Sequence, residues 1–86
     1  MKITEKKSLA GLNEGESAVV AALGAGGAIR ARLQEIGFIP GAEVKCVRKS
    51  PLGDPVAYGV RGAIIALRSE DAETIFVEAE GPGRHV

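Results

Sequence analysis

The chain has 86 residues, 11 basic and 11 acidic side chains, a formal charge of zero and 45% hydrophobic content. That is enough for one small domain whose core supplies about 3–5 kcal/mol, and a balanced charge argues against nucleic-acid binding and against a polybasic membrane anchor. The single cysteine, Cys46, excludes an internal disulfide and a multi-thiolate zinc site and fits a reducing compartment.

Residues 1–7 are polar and read as a flexible N-terminus. The stretch MKITEKKSLAG has lysines but no apolar run behind them, so it does not read as a signal peptide. The longest apolar runs, such as AVVAAL, are too short to span a bilayer. In SLAGLNEGE, Leu9 and Leu12 are expected to fold back onto a core, and Asn13 to Gly15 to turn. SAVVAAL (17–23) is predicted as the first strand, stopped by Gly24 to Gly27. AIRARLQEI follows as a helix. Its Ile29, Leu33 and Ile36 are spaced as one apolar stripe, with Arg30, Arg32, Gln34 and Glu35 on the flanks and outer side. Gly37 stands where a left-handed C-terminal cap belongs, and Pro40 follows as a stop. Phe38 or Ile39 is expected to pack against the helix end.

Pro40-Gly41 turns the chain into a second strand, AEVKCVR (42–48), with Val44 and Cys46 inward and Glu43, Lys45 and Val47 outward. VAYGV (56–60) is the third strand, with Val56, Tyr58 and Val60 on one face. Arg61-Gly62 reverses into AIIALR (63–68), with Ile65 and Leu67 inward. Ser69 is expected to cap a single acidic helical turn, EDAE, before the fifth strand, TIFVE (74–78), with Ile75 and Val77 inward. EGPGRHV reads as a flexible tail over 80–86. Five short strands, one helix after the first strand and glycines at the corners predict a mainly β fold. The expected form is a small five-stranded SH3-like barrel over 8–79, with one inserted helix and a short helical turn before the last strand.

Two segments carry a resemblance. IRARLQEIGFIPGAEVKC is similar to the FeoA signature: an arginine-rich helix, a leucine, then E-I/L-G-x-x-P-G and a valine strand. SPLGDPVAYGVRG, followed by IALR and an acidic turn, is similar to the second half of that family. The resemblance covers roughly residues 8 to 79 and departs from the pattern at Ala63 and Ile64. It implies a cytosolic SH3-like module that assists FeoB, the membrane ferrous-iron transporter, by protein–protein contact. The same module occurs in iron- or manganese-dependent repressors. A repressor would need a DNA-reading helix-turn-helix, and this sequence has room for one real helix.

Other chemistries find little support in the residues. Gly24 to Ile29 lies between strand and helix as a dinucleotide loop would, but Ile29 occupies the third fingerprint position and no long βαβ unit follows. A phosphate on the free N–H groups of this helix start carries little weight beside a plain strand-to-helix connection. Cys46 is a core-facing small hydrophobe, and His85 sits alone in the tail. Asp54, Glu70 and Asp71 would hold a divalent ion only weakly, so no metal site or cofactor is expected. No Ser or Cys nucleophile has a base nearby, which argues against an enzyme. Only Phe38, Tyr58 and Phe76 are aromatic, too few for a proline-peptide groove or a stacking platform for single strands.

That leaves PLGDP (51–55). Pro51 presets a turn, Gly53 releases it, and Pro55 marks a strand start. Architecture explains these three better than it explains Leu52 and Asp54. A rigid apolar tip loses little entropy on docking. Leu52, Gly53, Asp54 and Pro55, with Arg30 and Arg32 on the helix, are therefore the candidate partner surface. An exposed strand edge also leaves room for weak self-association.

Overall fold

A computed structural model describes residues 7–79. The expectations for 1–6, for the 80–86 tail and for His85 lie outside these residues. The elements run β1 (Lys7–Ser8), a 3-10 turn (Leu9–Gly11), β2 (Ser17–Leu23), α1 (Gly27–Ile36), β3 (Glu43–Lys49), β4 (Val56–Val60), β5 (Ala63–Leu67), α2 (Ser69–Ala72) and β6 (Ile75–Ala79). The five predicted strands, the inserted helix and the helical turn are present. β1 is a sixth strand in which Lys7, read from the sequence as part of the loose N-terminus, pairs with Val77 of β6. The antiparallel order is β1-β6-β2-β3-β4-β5, so among the described residues the ladder is open between β1 and β5.

Two register shifts bend this sheet. One lies between Val20 and Ala22 against β6, the other between Cys46 and Arg48 against β4. Each adds an unpaired residue on one strand and sharpens the local twist. The second also ends the in-out alternation of β3, so Val47 and Arg48 both face solvent. The core lies inside the bend. Val44, Cys46, Val56, Tyr58, Val60, Ile75 and Val77 are buried as their alternation predicts, and Leu9 and Leu12 close one end. Burial pushes the Cys46 thiol up, as suits a core residue.

The end of α1 follows the cap predicted for Gly37. The Gly37 N–H donates to the Gln34 carbonyl (3.1 Å), and the Phe38 N–H reaches back to that of Leu33 (3.0 Å). This is the paired pattern of a Schellman cap, with its apolar contact supplied by Leu33 and Phe38. Gly37 has φ +129, and a Cβ there would lie 2.6 Å from Cδ of Arg61, so a side chain would be strained and would have to displace that arginine. Of the two candidates at the helix end, Phe38 is fully buried and Ile39 is half exposed. The predicted stripe is shorter than its spacing implied. Leu33 is buried and Ile36 partly so, whereas Ile29 is 51% exposed. The helix docks by its C-terminal half, where the cap fixes it, and its first turn stands off the sheet.

Tyr58 ties two remote segments. Its hydroxyl donates to the Leu9 carbonyl across 3.4 Å, inside the core. Burial, with lesser help from Cys46 and Asp54, pushes its pKa up from 10.0 to about 12. The folded protein thus holds the proton more tightly than the unfolded chain. The stabilisation is complete below pH 10 and is lost as pH rises through about 12. Tyr58 is the single tyrosine, so phenolate absorbance reports it alone. We expect that signal to rise together with loss of β-sheet circular dichroism, and Tyr58→Phe to move the alkaline transition upward. Phenolate formation near pH 10 in a folded chain would contradict the assignment.

Candidate partner-binding surface

β3 ends at Lys49 and β4 begins at Val56, and the PLGDP loop spans the gap. Glu14 holds its near side: Oε2 accepts the Lys49 N–H at 2.7 Å. Within the loop, the Gly53 N–H donates to the Ser50 carbonyl at 2.8 Å, closing a turn with Pro51 at its second position. Gly53 leaves that turn at φ +89, which a side chain would strain. The Asp54-Pro55 peptide is cis.

Asp54 is the residue whose purpose the sequence did not give. Its Oδ1 accepts the Ser69 N–H at 2.8 Å and the Ser69 hydroxyl at 3.2 Å. Ser69 was expected to cap α2. It is instead the first helical residue, and Arg68 precedes it with no side-chain cap. The carboxylate of Asp54, 15 residues away in sequence, fills the capping role and pins the far side of the loop to the helix start. Asp54→Ala is expected to cost about 1–2 kcal/mol, a typical loss for a helix cap. A urea titration monitored by circular dichroism checks this; a midpoint equal to wild type would show the bond to be dispensable.

Leu52 is left at the tip, 94% exposed, on a loop braced from both sides. Asp54 and Pro55 share a small depression with Ala66 and Arg68. Ala66 and Arg68 also line a groove of about 410 Å³ between α1 and β5, whose far wall holds Ile29, Arg32, Leu33 and Ile36. The structure therefore links Arg32 to the loop through β5, while Arg30 is exposed and does not line the groove. Arg68, Ile65 and Asp71 belong to the same surface, and the sequence did not place them there: Ile65 read as core, Asp71 as a weak cation ligand, and Arg68 was not singled out. Arg68 follows directly on a strand that reads as core, and nothing local says that α1 lies across from it.

Among the described residues no three His, Cys, Asp or Glu side chains gather as metal ligands, and no helix is long and apolar enough to cross a membrane. The bent, open antiparallel sheet with one inserted helix defines a small SH3-like domain. A model of the FeoA domain matches residues 7–79, and the chain belongs to the FeoA family. The resemblance read from the two sequence segments is borne out. A fusion protein of Porphyromonas gingivalis, Fe(2+) transport protein A joined to the Fe(2+) transporter FeoB, is 39% identical over 70 residues. The match takes in 81% of this chain and only 8% of that relative's length. The solution structure of FeoA from Chlorobium tepidum is 35% identical with a TM-score of 0.83, over 92% of this chain and 76% of that one. FeoA of Stenotrophomonas maltophilia, a prokaryotic SH3-domain protein solved with zinc, is 37% identical with a TM-score of 0.76, over 84% and 89%.

Proposed function

We propose that this chain is a non-enzymatic accessory protein of ferrous-iron uptake that works on the cytosolic side of the membrane by contact with a FeoB-type transporter. The observation that carries the partner is the relative in which the two proteins form one polypeptide. The contact surface is the Leu52 tip with Gly53, Asp54 and Pro55, continued along the groove to Arg32; Arg30 adds positive charge to the same helix. Such a contact would act on the transporter's assembly or its nucleotide-coupled state. Calorimetry of this protein against the detergent-solubilised transporter of the same organism, with and without a GTP analogue and Fe²⁺, tests it. Saturable binding in at least one state is expected; a folded protein that binds in none would sink the reading.

A second reading, weak binding of a divalent metal by this chain itself, is favoured by the zinc bound to the Stenotrophomonas relative. Titration of the purified protein with Zn²⁺ and Fe²⁺ separates it from the first, since an accessory role needs no metal affinity of its own.

A further inference from the structure

β5 ends the sheet. Its hydrogen-bonded neighbour is β4, and among the described residues no strand pairs with its other side. The two-residue turn at Arg61–Gly62 decides which groups point off that side. It makes Val60 and Ala63 the first hydrogen-bonded pair, so Ala63, Ile65 and Leu67 bond to β4. The N–H and C=O groups of Ile64 and Ala66 therefore face outward. Native edge strands are guarded against pairing by charge, proline, a bulge or short length. β1, the opposite edge, has two described residues, Lys7 and Ser8. β5 has none of these guards: it reads AIIAL, pairs with β4 without a register shift, and leaves Ile64 64% exposed.

The groove runs beside this edge. Ile29, Leu33 and Ile36 of α1 face it across from Ile65, which leaves apolar room for side chains of an added strand. Arg32 and Arg68 stand on its walls against one carboxylate, Asp71. Neither arginine has an ion-pair partner among the described residues. We propose that the open edge of β5 accepts one extended segment of the partner protein as an added strand, with apolar and acidic residues in alternation. Main-chain bonds to Ile64 and Ala66 give affinity, the α1 groove takes the apolar side chains, and the two arginines select for acid. A second copy of this chain fits less well. Antiparallel self-pairing centred on Ile65 sets Arg68 of each copy against Gly62 and beside Arg61 of the other, bringing like charges together at both ends. The inference rests on the partner-binding reading above and adds the shape and charge of what is bound.

The test uses isotope-labelled protein and a capped hexapeptide of alternating valine and glutamate. Saturating shifts and slowed amide exchange are expected at Ile64 and Ala66, with Ile65 unchanged. The same peptide with lysine for glutamate is expected to bind at least about tenfold more weakly. Ala66→Pro removes an outward donor without touching the β4 ladder, and it should weaken binding of the glutamate peptide by about tenfold or more. Should proline disturb folding, Ile64→Glu at an exposed position serves instead, because it sets a like charge beside the peptide's glutamates. No saturation at millimolar peptide, equal binding of the lysine peptide, or protection of these amides by protein concentration alone would overturn the proposal. Transporter binding is measured in parallel. If the transporter binds wild type and Ile64→Glu equally, strand addition fails and the partner reading stands. If the peptide binds as expected and the transporter does not, the partner reading fails alone.

Discussion

Phe38→Ala is expected to leave most of the chain unfolded at room temperature. Phe38 is fully buried, and truncating a buried phenylalanine costs about 3–5 kcal/mol through lost transfer energy and the cavity left behind. That is comparable with the whole core contribution of about 3–5 kcal/mol available to a domain of this size. The site has little room to collapse, because the backbone of Phe38 is held by its bond to Leu33 and its neighbour Gly37 lies against Arg61. The loss would spread to α1, whose single fully docked residue, Leu33, packs at the same cap. Circular dichroism and urea unfolding decide the matter. A cooperative transition near the wild-type midpoint would show that the core repacks and that the helix has another anchor. Ile39→Ala, next in sequence and half exposed, is the control and should cost within about 1 kcal/mol.

Leu52→Glu should do the opposite: leave the fold intact and remove the function. Leu52 is 94% exposed, so its replacement is expected to change stability by no more than about 0.5 kcal/mol. As the apolar tip of a braced loop it has the character of a binding anchor, and losing an anchor costs about 2 kcal/mol or more, roughly thirtyfold in affinity. A carboxylate there would also have to be desolvated in the interface. The expected results are an unchanged thermal transition, transporter affinity reduced by at least that factor, and iron uptake near the level of a strain lacking this protein. Unchanged affinity in a folded variant would return the loop to a purely architectural role.

Much of the architecture was legible because its signals are local. The alternation Val44, Cys46 and Val56, Tyr58, Val60 reports a buried sheet face directly, and Gly37 with Pro40 marks the helix end. What escaped the sequence depends on contacts between distant segments. β1 offers two residues, too few for a period, and exists only because β6 is there to pair with it. The position of Ile29 on the apolar stripe is real, yet burial depends on how far α1 leans on the sheet, which the cap at its other end decides. The candidate surface divides in the same way. Leu52 stood out in the sequence because architecture gave it no task. The bond from Asp54 to Ser69 and the meeting of Arg32 with Arg68 are tertiary facts that no spacing rule reaches.

If the tip and the groove both meet the partner, as proposed, the Asp54–Ser69 bond makes two weak contacts count as one strong one. It fastens the loop that carries Leu52 to the start of α2, and α2 carries Asp71, which lines the groove. Tip and groove thus share a single frame, with no floppy linker to dilute one contact while the other is made. A partner that has touched the tip meets the groove at high effective concentration, and the second contact is nearly free of entropic cost. Cutting the bond with Asp54→Ala would uncouple them. Even if the fold survived, dissociation would quicken, because each contact could then let go by itself.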